Sequence, residues 1–256
     1  MSIAIITGAS SGMGREFARR LEKSGNYDEI WLITRRAERL AALAGEMTTP
    51  ARVLALDLTD SGDIDRFAAA LAEAKPKVET LVCASGYGKF GEFDRLPLNE
   101  QMGIIDLNCR GLTAVTYLAL PYMTDGGQIY ELCSISAFQP VPYAGVYAAS
   151  KSYVLSFTRA VNAEQKGRVH AMAVCPFWVR TEFFDRAVSD DTISYYSRFL
   201  TSEQVVTSAL KDMRRGKDVS VCGGLNKLQA LACKLLPHRT VMRIWCRQQS
   251  KAARKK

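Results

Sequence analysis

The sequence predicts one α/β domain, a doubly wound parallel sheet of about seven strands with helices on both faces, and three observations carry that prediction. Short apolar or β-branched runs alternate with longer helical patterns from the N-terminus to about residue 221. The runs are nearly continuous in apolar character, as strands buried on both faces are. The first run passes directly into a glycine-rich turn and a helix. At 256 residues the chain has room for one or two domains of roughly 150 residues, and with no linker, repeat or low-complexity segment a single domain is expected.

In chain order, residues 3–7 read as a strand followed by a helix over 13–23, residues 30–34 by a helix over 37–47, and residues 53–56 by one over 64–74. A strand at 80–84 precedes a long helical pattern over 99–123, one at 128–133 precedes a helix over 145–165, and one at 169–175 leads into an irregular stretch. A helix over 203–215 then returns to a last strand at 219–222. Strands separated by helices of this length are βαβ units, which build a parallel sheet. We expect residues 1–224 to form this body and residues 225–256 a basic amphipathic extension packed on or beside it.

Charge divides the chain the same way. The 34 Lys and Arg exceed the 26 Asp and Glu to give +8, yet every acid lies at or before Asp218, so residues 219–256 carry +9 and the rest −1. A nucleic-acid binder with a basic folded face is therefore not expected. The seven cysteines are widely spaced, with no CxxC pair and no histidine cluster, which argues against a disulfide scaffold or a metal site. Cys83, Cys133 and Cys175 each end an apolar run and read as small buried hydrophobes of a reducing compartment. The N-terminus has no signal-peptide pattern and no apolar stretch approaches the roughly 20 residues of a membrane span, so a soluble, cytoplasmic protein is expected.

The first turn reads Thr7-Gly8-Ala9-Ser10-Ser11-Gly12-Met13-Gly14. Glycines allow a tight turn and close backbone approach to a pyrophosphate, and the following helix offers the anion its free N–H groups. Gly8, Ser10, Ser11, Gly12, Met13 and Gly14 are thus candidates to hold a dinucleotide in a Rossmann-type fold. The second strand ends in Thr34-Arg35-Arg36 with no carboxylate for a ribose hydroxyl. Two guanidiniums suit a 2′-phosphate, so NADP(H) is expected over NAD(H), with Arg35 favoured over Arg36. The alternative is that both arginines merely begin a solvated helix.

Tyr147 and Lys151 stand four apart in a helical pattern, about one turn apart on a shared face. A neighbouring ammonium favours the phenolate of a tyrosine and brings proton exchange closer to neutrality. Ser134 lies thirteen residues before the tyrosine, at the end of the fifth predicted strand. This spacing, with the GxxxGxG turn and the segments QIYELCSISAF and VYAASK, resembles the short-chain dehydrogenase/reductase family over residues 1 to about 221. The resemblance implies a nicotinamide-dependent oxidoreductase in which Tyr147 is the general acid/base. Lys151 would lower its pKa and hold the nicotinamide ribose, and Ser134 would donate to the substrate oxygen. Asn108, in DLNCRG, matches the residue that positions a water linking the lysine to solvent. Asp57 and Leu58 match the adenine contact, although Asp57 also fits the cap of the next helix. Gly86, Pro176, Val179 and Thr181 complete the implied cofactor set.

Three departures from the family pattern stand out. Its NNAG is here Cys83-Ala84-Ser85-Gly86, which questions the tie between neighbouring strands. Its Pro-Gly is Pro176-Phe177, which adds bulk near the nicotinamide, and Cys133 replaces a small hydroxyl residue in what reads as core packing. Phe177, Trp178, Phe183, Phe184, Tyr195, Tyr196 and Phe199, joined by Phe138, Tyr143, Tyr87 and Phe90, predict an apolar substrate cleft. Ser134, Ser136, Tyr143, Phe177, Trp178 and Phe183 are the candidate substrate contacts, and an apolar ketone, aldehyde or alcohol is the expected substrate. A homo-oligomer, dimer or tetramer, is also expected.

In the extension, Leu225, Leu228, Leu231, Leu235 and Leu236 recur at helical spacing before Pro237. Arg239, Arg243, Arg247 and Lys251 follow four apart, with Val241, Ile244 and Trp245 on another side. Two short amphipathic helices are expected, serving as a lid, an oligomer contact or a dock to an anionic membrane. The reading that competes with an enzyme is a catalytically weak NADP-binding regulator or scaffold of the same fold.

Overall fold

The computed structural model describes residues 1–24, 27–188, 192–193, 196 and 198–253, and side chains as far as residue 249. In the first strand, β1 (Ser2–Thr7), Ile3 and Ile5 enter one buried cluster while Ala4 and Ile6 enter another, all fully buried. The twofold side-chain alternation of a strand thus feeds two apolar layers, one on each face of the sheet. Helix α1 (Gly12–Ser24) returns the chain to β2 (Glu29–Ile33), and α2 (Ala37–Glu46) returns it to β3 (Ala51–Leu54). Helix α3 (Ser61–Ala74) leads to β4 (Lys77–Cys83), from which α4 (Leu98–Ile105) and α5 (Leu112–Ala119) lead to β5 (Met123–Leu132). Helix α6 (Gly145–Glu164) leads to β6 (Val169–Val174), and α7 (Phe183–Ala187) and α8 (Ser202–Met213) to β7 (Val219–Ser220).

Pairing is parallel throughout, in the order β3-β2-β1-β4-β5-β6-β7. The chain winds outward from β1 to β3 and then restarts on the other side with β4. The C-terminal ends of β1 and β4 therefore flank a crevice at the switch point, where ligands of such sheets bind.

Some boundaries differ from the sequence expectation. The third strand stops at Leu54, and Leu56 and Leu58 reach the core from the loop beyond it. The long helical pattern ends at Ala119 because Pro121, lacking an N–H, limits the chain to one tight turn before β5. Between α4 and α5 the chain runs as a wide π turn over Asp106–Gly111. Asp60, not Asp57, caps α3 by accepting from the Asp63 N–H at 2.9 Å.

The extension forms α9 (Gly224–Leu235) and α10 (His238–Ala253) around Pro237. Helix α9 packs its small residues inward, with Ala230 and Cys233 buried. Its leucines face away: Leu225, Leu228, Leu231 and Leu235 are 58, 62, 51 and 74% exposed. Helix α10 buries Val241 and leaves Arg239, Arg243 and Arg247 exposed; the Lys251 side chain lies outside the described set. Among the described residues no helix is long and apolar enough to cross a membrane.

Candidate active site

Ser134 follows β5 in extended backbone and opens a short turn, accepting from the Ser136 N–H at 3.2 Å. Across from it, the first turns of α6 carry Tyr147 and Lys151 on one face. Lys151 is 5% exposed and donates to the Leu132 carbonyl at 2.6 Å, while its Nζ lies 5.8 Å from the centre of the Tyr147 ring. Burial pushes the Lys151 pKa below its usual value. Burial pushes the Tyr147 phenol above its usual value, and a hydrogen bond with Ser134 opposes that rise. The phenol is accordingly a held proton at neutral pH.

Asn108 sits in the π turn, fully buried. It accepts from the Tyr87 N–H at 3.1 Å and donates to the Tyr87 carbonyl at 2.9 Å and to Ser150 Oγ at 3.0 Å. It thereby clamps the loop after β4 to α6, a use of the extra residue that π bulges place at functional sites. Gly88 in that loop permits a close approach the sequence did not signal: a Cβ there would stand 2.8 Å from Tyr147 Cδ2.

The missing asparagines have a substitute. Cys83 faces Glu131 across the β4–β5 register, and its sulfur lies 3.8 Å from Thr116 Oγ1, which is 2.7 Å from Glu131 Oε1. Thr116 also lies 2.9 Å from the Leu112 carbonyl. A hydroxyl carries one proton, so when it is given to Leu112 the Glu131 contact is made by a protonated carboxyl. Burial accordingly raises the Glu131 pKa to about 7. Cys133 is buried as expected, but it also lines the substrate cleft and donates to the Lys151 carbonyl at 3.1 Å.

At the switch point a cavity enclosing about 1210 Å³, part of it open to solvent, is walled by the glycine turn from Gly8 to Gly14. Thr34, Arg35, Arg36, Asp57, Leu58, Gly86 and Thr181 line it too. At Gly8, φ is +66° and a Cβ would meet the Ala84 backbone at 2.8 Å, so only glycine lets β1 turn there against the loop after β4. Ser10 Oγ is buried in this wall with no hydrogen-bond partner. An unpartnered hydroxyl, a helix N-terminus and two guanidiniums fit the phosphates of a dinucleotide. Arg35 lies 3.3 Å from Asp57, whereas Arg36 reaches both Ser11 Oγ at 3.1 Å and Glu182 at 3.0 Å. Glu182, which also pairs with Arg39 at 2.6 Å, and Arg186 belong to this wall and carry no local sequence signal.

The second cavity, about 1000 Å³ including its open mouth, holds Ser134, Tyr147 and Lys151 with Pro176 and Val179. Ser136, Phe177, Trp178 and Phe183 line it as expected, with Phe90 and Phe184. Asn108 lines neither cavity and works from behind. Tyr143, expected among the substrate contacts, is not one of the residues lining this cavity; its backbone is held at φ +67°, its carbonyl accepts from the Gly91 N–H, and it packs against the cluster of Phe90, Val141, Ala144 and Ala148. Phe138 is buried core, Tyr87 lines the dinucleotide cavity, and Tyr196 and Phe199 pack behind Phe184. Tyr195 lies outside the described residues. Gln139, Gln229 and Trp245 complete this wall; the last two come from the extension.

Comparison with known proteins agrees with this geometry. The short chain dehydrogenase family model matches residues 2–192. Sulfoacetaldehyde reductase 2 of Chromohalobacter salexigens is 35% identical over 201 residues, covering 73% of this chain and 79% of that protein. A short-chain dehydrogenase from Sphingobium yanoikuyae in complex with NADPH superposes with a TM-score of 0.78 at 26% identity, covering 90% of this chain and 92% of the other. A short-chain dehydrogenase/reductase from Burkholderia phymatum in complex with NAD shares the fold, with a TM-score of 0.79 at 21% identity over 94% of each chain. The chain belongs to the short-chain dehydrogenase/reductase family and is an NAD(P)-dependent oxidoreductase.

Proposed function

We propose that the protein is an NADPH-dependent reductase of apolar ketones or aldehydes, with Tyr147 as general acid/base, Lys151 and Ser134 as its partners and Asn108 holding their frame. The observation that carries this reading is the convergence of Ser134, Tyr147 and Lys151 in one apolar cleft beside a cavity edged by Arg35 and Arg36. When bound, the nicotinamide supplies hydride to the carbonyl carbon. Ser134 donates to the substrate oxygen, Tyr147 delivers its proton to that oxygen, and the buried Lys151 limits how far the phenol's pKa rises as the cleft fills. The cleft's aromatic walls suit an apolar substrate, and Lys151, turned to the Leu132 carbonyl, is the one Lys, Arg, Asp or Glu among the described residues that line it. NADPH absorbance with a panel of ketones and aldehydes tests the activity, and fluorescence titration with NADPH and NADH tests the cofactor. NADH binding at least as tight as NADPH overturns the role given to the arginines.

The division into a catalytic body, residues 1–224, and an extension, residues 225–256, is part of the same proposal. We assign the outward leucine face of α9 to an anionic lipid surface. With +9 and no acid beyond Asp218, two copies of the extension repel each other while anionic headgroups attract it. Full-length protein should sediment with anionic vesicles and a Leu228→Gln/Leu235→Gln variant should not; equal sedimentation removes the idea. The exposed Met102, Ile105, Tyr117 and Tyr153 on α4 to α6 belong to the near-neutral body and are the face we propose for a dimer or tetramer, tested by sedimentation velocity.

A further inference from the structure

Beyond the catalytic cleft lies a second apolar cavity of about 850 Å³, part of it open to solvent, between α9, α10 and the Phe177–Trp178 pair. Ala232, Cys233, Leu236, Val241 and Ile244 form its far wall. The two cavities are neighbours through shared walls: Gln139, Phe177, Trp178, Gln229 and Trp245 line both.

The boundary they share is framed by side-chain contacts. Trp245 donates its ring N–H to the Pro142 carbonyl at 3.0 Å and lies face to face with Trp178, 6.4 Å between centres and 28° between planes. The Cys233 thiol donates to Gln139 Oε1 at 2.6 Å, which leaves the Gln139 amide N–H groups for a ligand. Phe177, the ring in place of the family's glycine, packs edge-on against Trp178 at 5.8 Å and forms part of this boundary. All of the far wall lies beyond residues 2–192, the span matched by the family model.

We infer that the C-terminal helices extend the catalytic cleft with a second apolar compartment, and that the substrate is an elongated apolar carbonyl compound whose far end lies between α9 and α10. This rests on the reductase reading and adds to it a substrate length. The carboxamides of Gln139 and Gln229 stand at the junction, where a hydroxyl or carbonyl part-way along the molecule finds a partner. Short carbonyl compounds fill only the inner cleft and forgo the outer apolar contacts.

The test is a series of methyl ketones from 2-butanone to 2-tetradecanone. Steady-state reduction with NADPH is measured alongside tryptophan fluorescence on ketone binding; Trp178 and Trp245 line the compartment, and fully buried Trp31 is a constant background. Each methylene buried is worth about fourfold, so kcat/KM and affinity should climb along the series. Ala232→Phe, which fills the compartment, should stop the climb at the longer members. Ile244→Gln, at a 47% exposed position that tolerates polarity, should flatten it. A flat wild-type series with turnover, or a climb equally steep in both variants, overturns the second compartment and leaves the reductase reading standing. Length-dependent binding that Ala232→Phe abolishes, without turnover of any ketone, supports the compartment and overturns the reductase. Neither binding nor turnover overturns both.

Discussion

Arg36 and Lys151 are both cations at the ligand-binding edge of the sheet, yet their surroundings differ. The Arg36 side chain is 46% exposed and shares a 48% exposed Glu182 with Arg39, itself 49% exposed. Lys151 is 5% exposed, faces a backbone carbonyl and is joined in the buried interior by Glu131 at 1%. In the dinucleotide cavity the charges stay hydrated, so each pair contributes little, salt screens it, and an incoming phosphate can compete for the guanidinium. In the substrate cleft burial sets the protonation state, and a proton becomes something the fold holds. A cofactor that arrives fully charged and must leave suits the first arrangement; proton delivery to an apolar substrate suits the second.

Four measurements probe that contrast, and Tyr147→Phe has the largest expected effect. On the proposed mechanism, loss of the phenol that delivers the proton should lower turnover about 1000-fold, equivalent to about 4 kcal/mol, while NADPH affinity is kept. Unchanged turnover in stopped-flow assays would sink the mechanism.

The next effect is on stability. Glu131 is held at about 7 against an ordinary 4.5, so the folded state binds its proton more tightly than the unfolded chain does. Its contribution is fully present below pH 4.5 and is lost as pH rises to 7, about 3 kcal/mol in all. Urea midpoints measured against pH should fall over that window in the wild type, and Glu131→Gln should remove this component.

Smaller effects belong to the charged cavity. Arg35→Ala and Arg36→Ala should each weaken NADPH about tenfold and leave NADH unaffected, by fluorescence titration at low salt. Glu182→Gln frees Arg36 and Arg39 from a competitor and should tighten NADPH by about twofold to fivefold, a gain that disappears in high salt. If the gain survives high salt, the cavity is less hydrated than the exposures imply.

The legible parts of the site were those written in adjacent residues. The glycine turn, the Tyr147–Lys151 spacing and the arginines after β2 all depend on contacts within one strand-turn-helix unit or one helical turn, and the dinucleotide cavity is lined by every residue expected from the glycine turn. Asp57 was ambiguous because the cap and the strand end lie three residues apart, and only the Asp63 N–H bonded to Asp60 decided between them. Glu182 and Arg186 had no local pattern because their partners, Arg36 and Tyr87, are far away in sequence.

Residue order alone therefore determined the alternation of strands and helices, the glycine turn after β1 and the Tyr147–Lys151 spacing, since each is a short-range pattern that survives without knowledge of neighbours. The fold decided what required two distant segments to meet. It tied Cys83 to Glu131 and Thr116 where asparagines were missing, and it packed Tyr143 against the cluster around Phe90 and Val141. It packed α9 through Ala230 and Cys233, the latter against Gln139, so that the leucines face outward, and it brought Trp245 across to Trp178. Hydrophobic spacing defines a helix face, but which face is covered depends on the shape of the surface it meets.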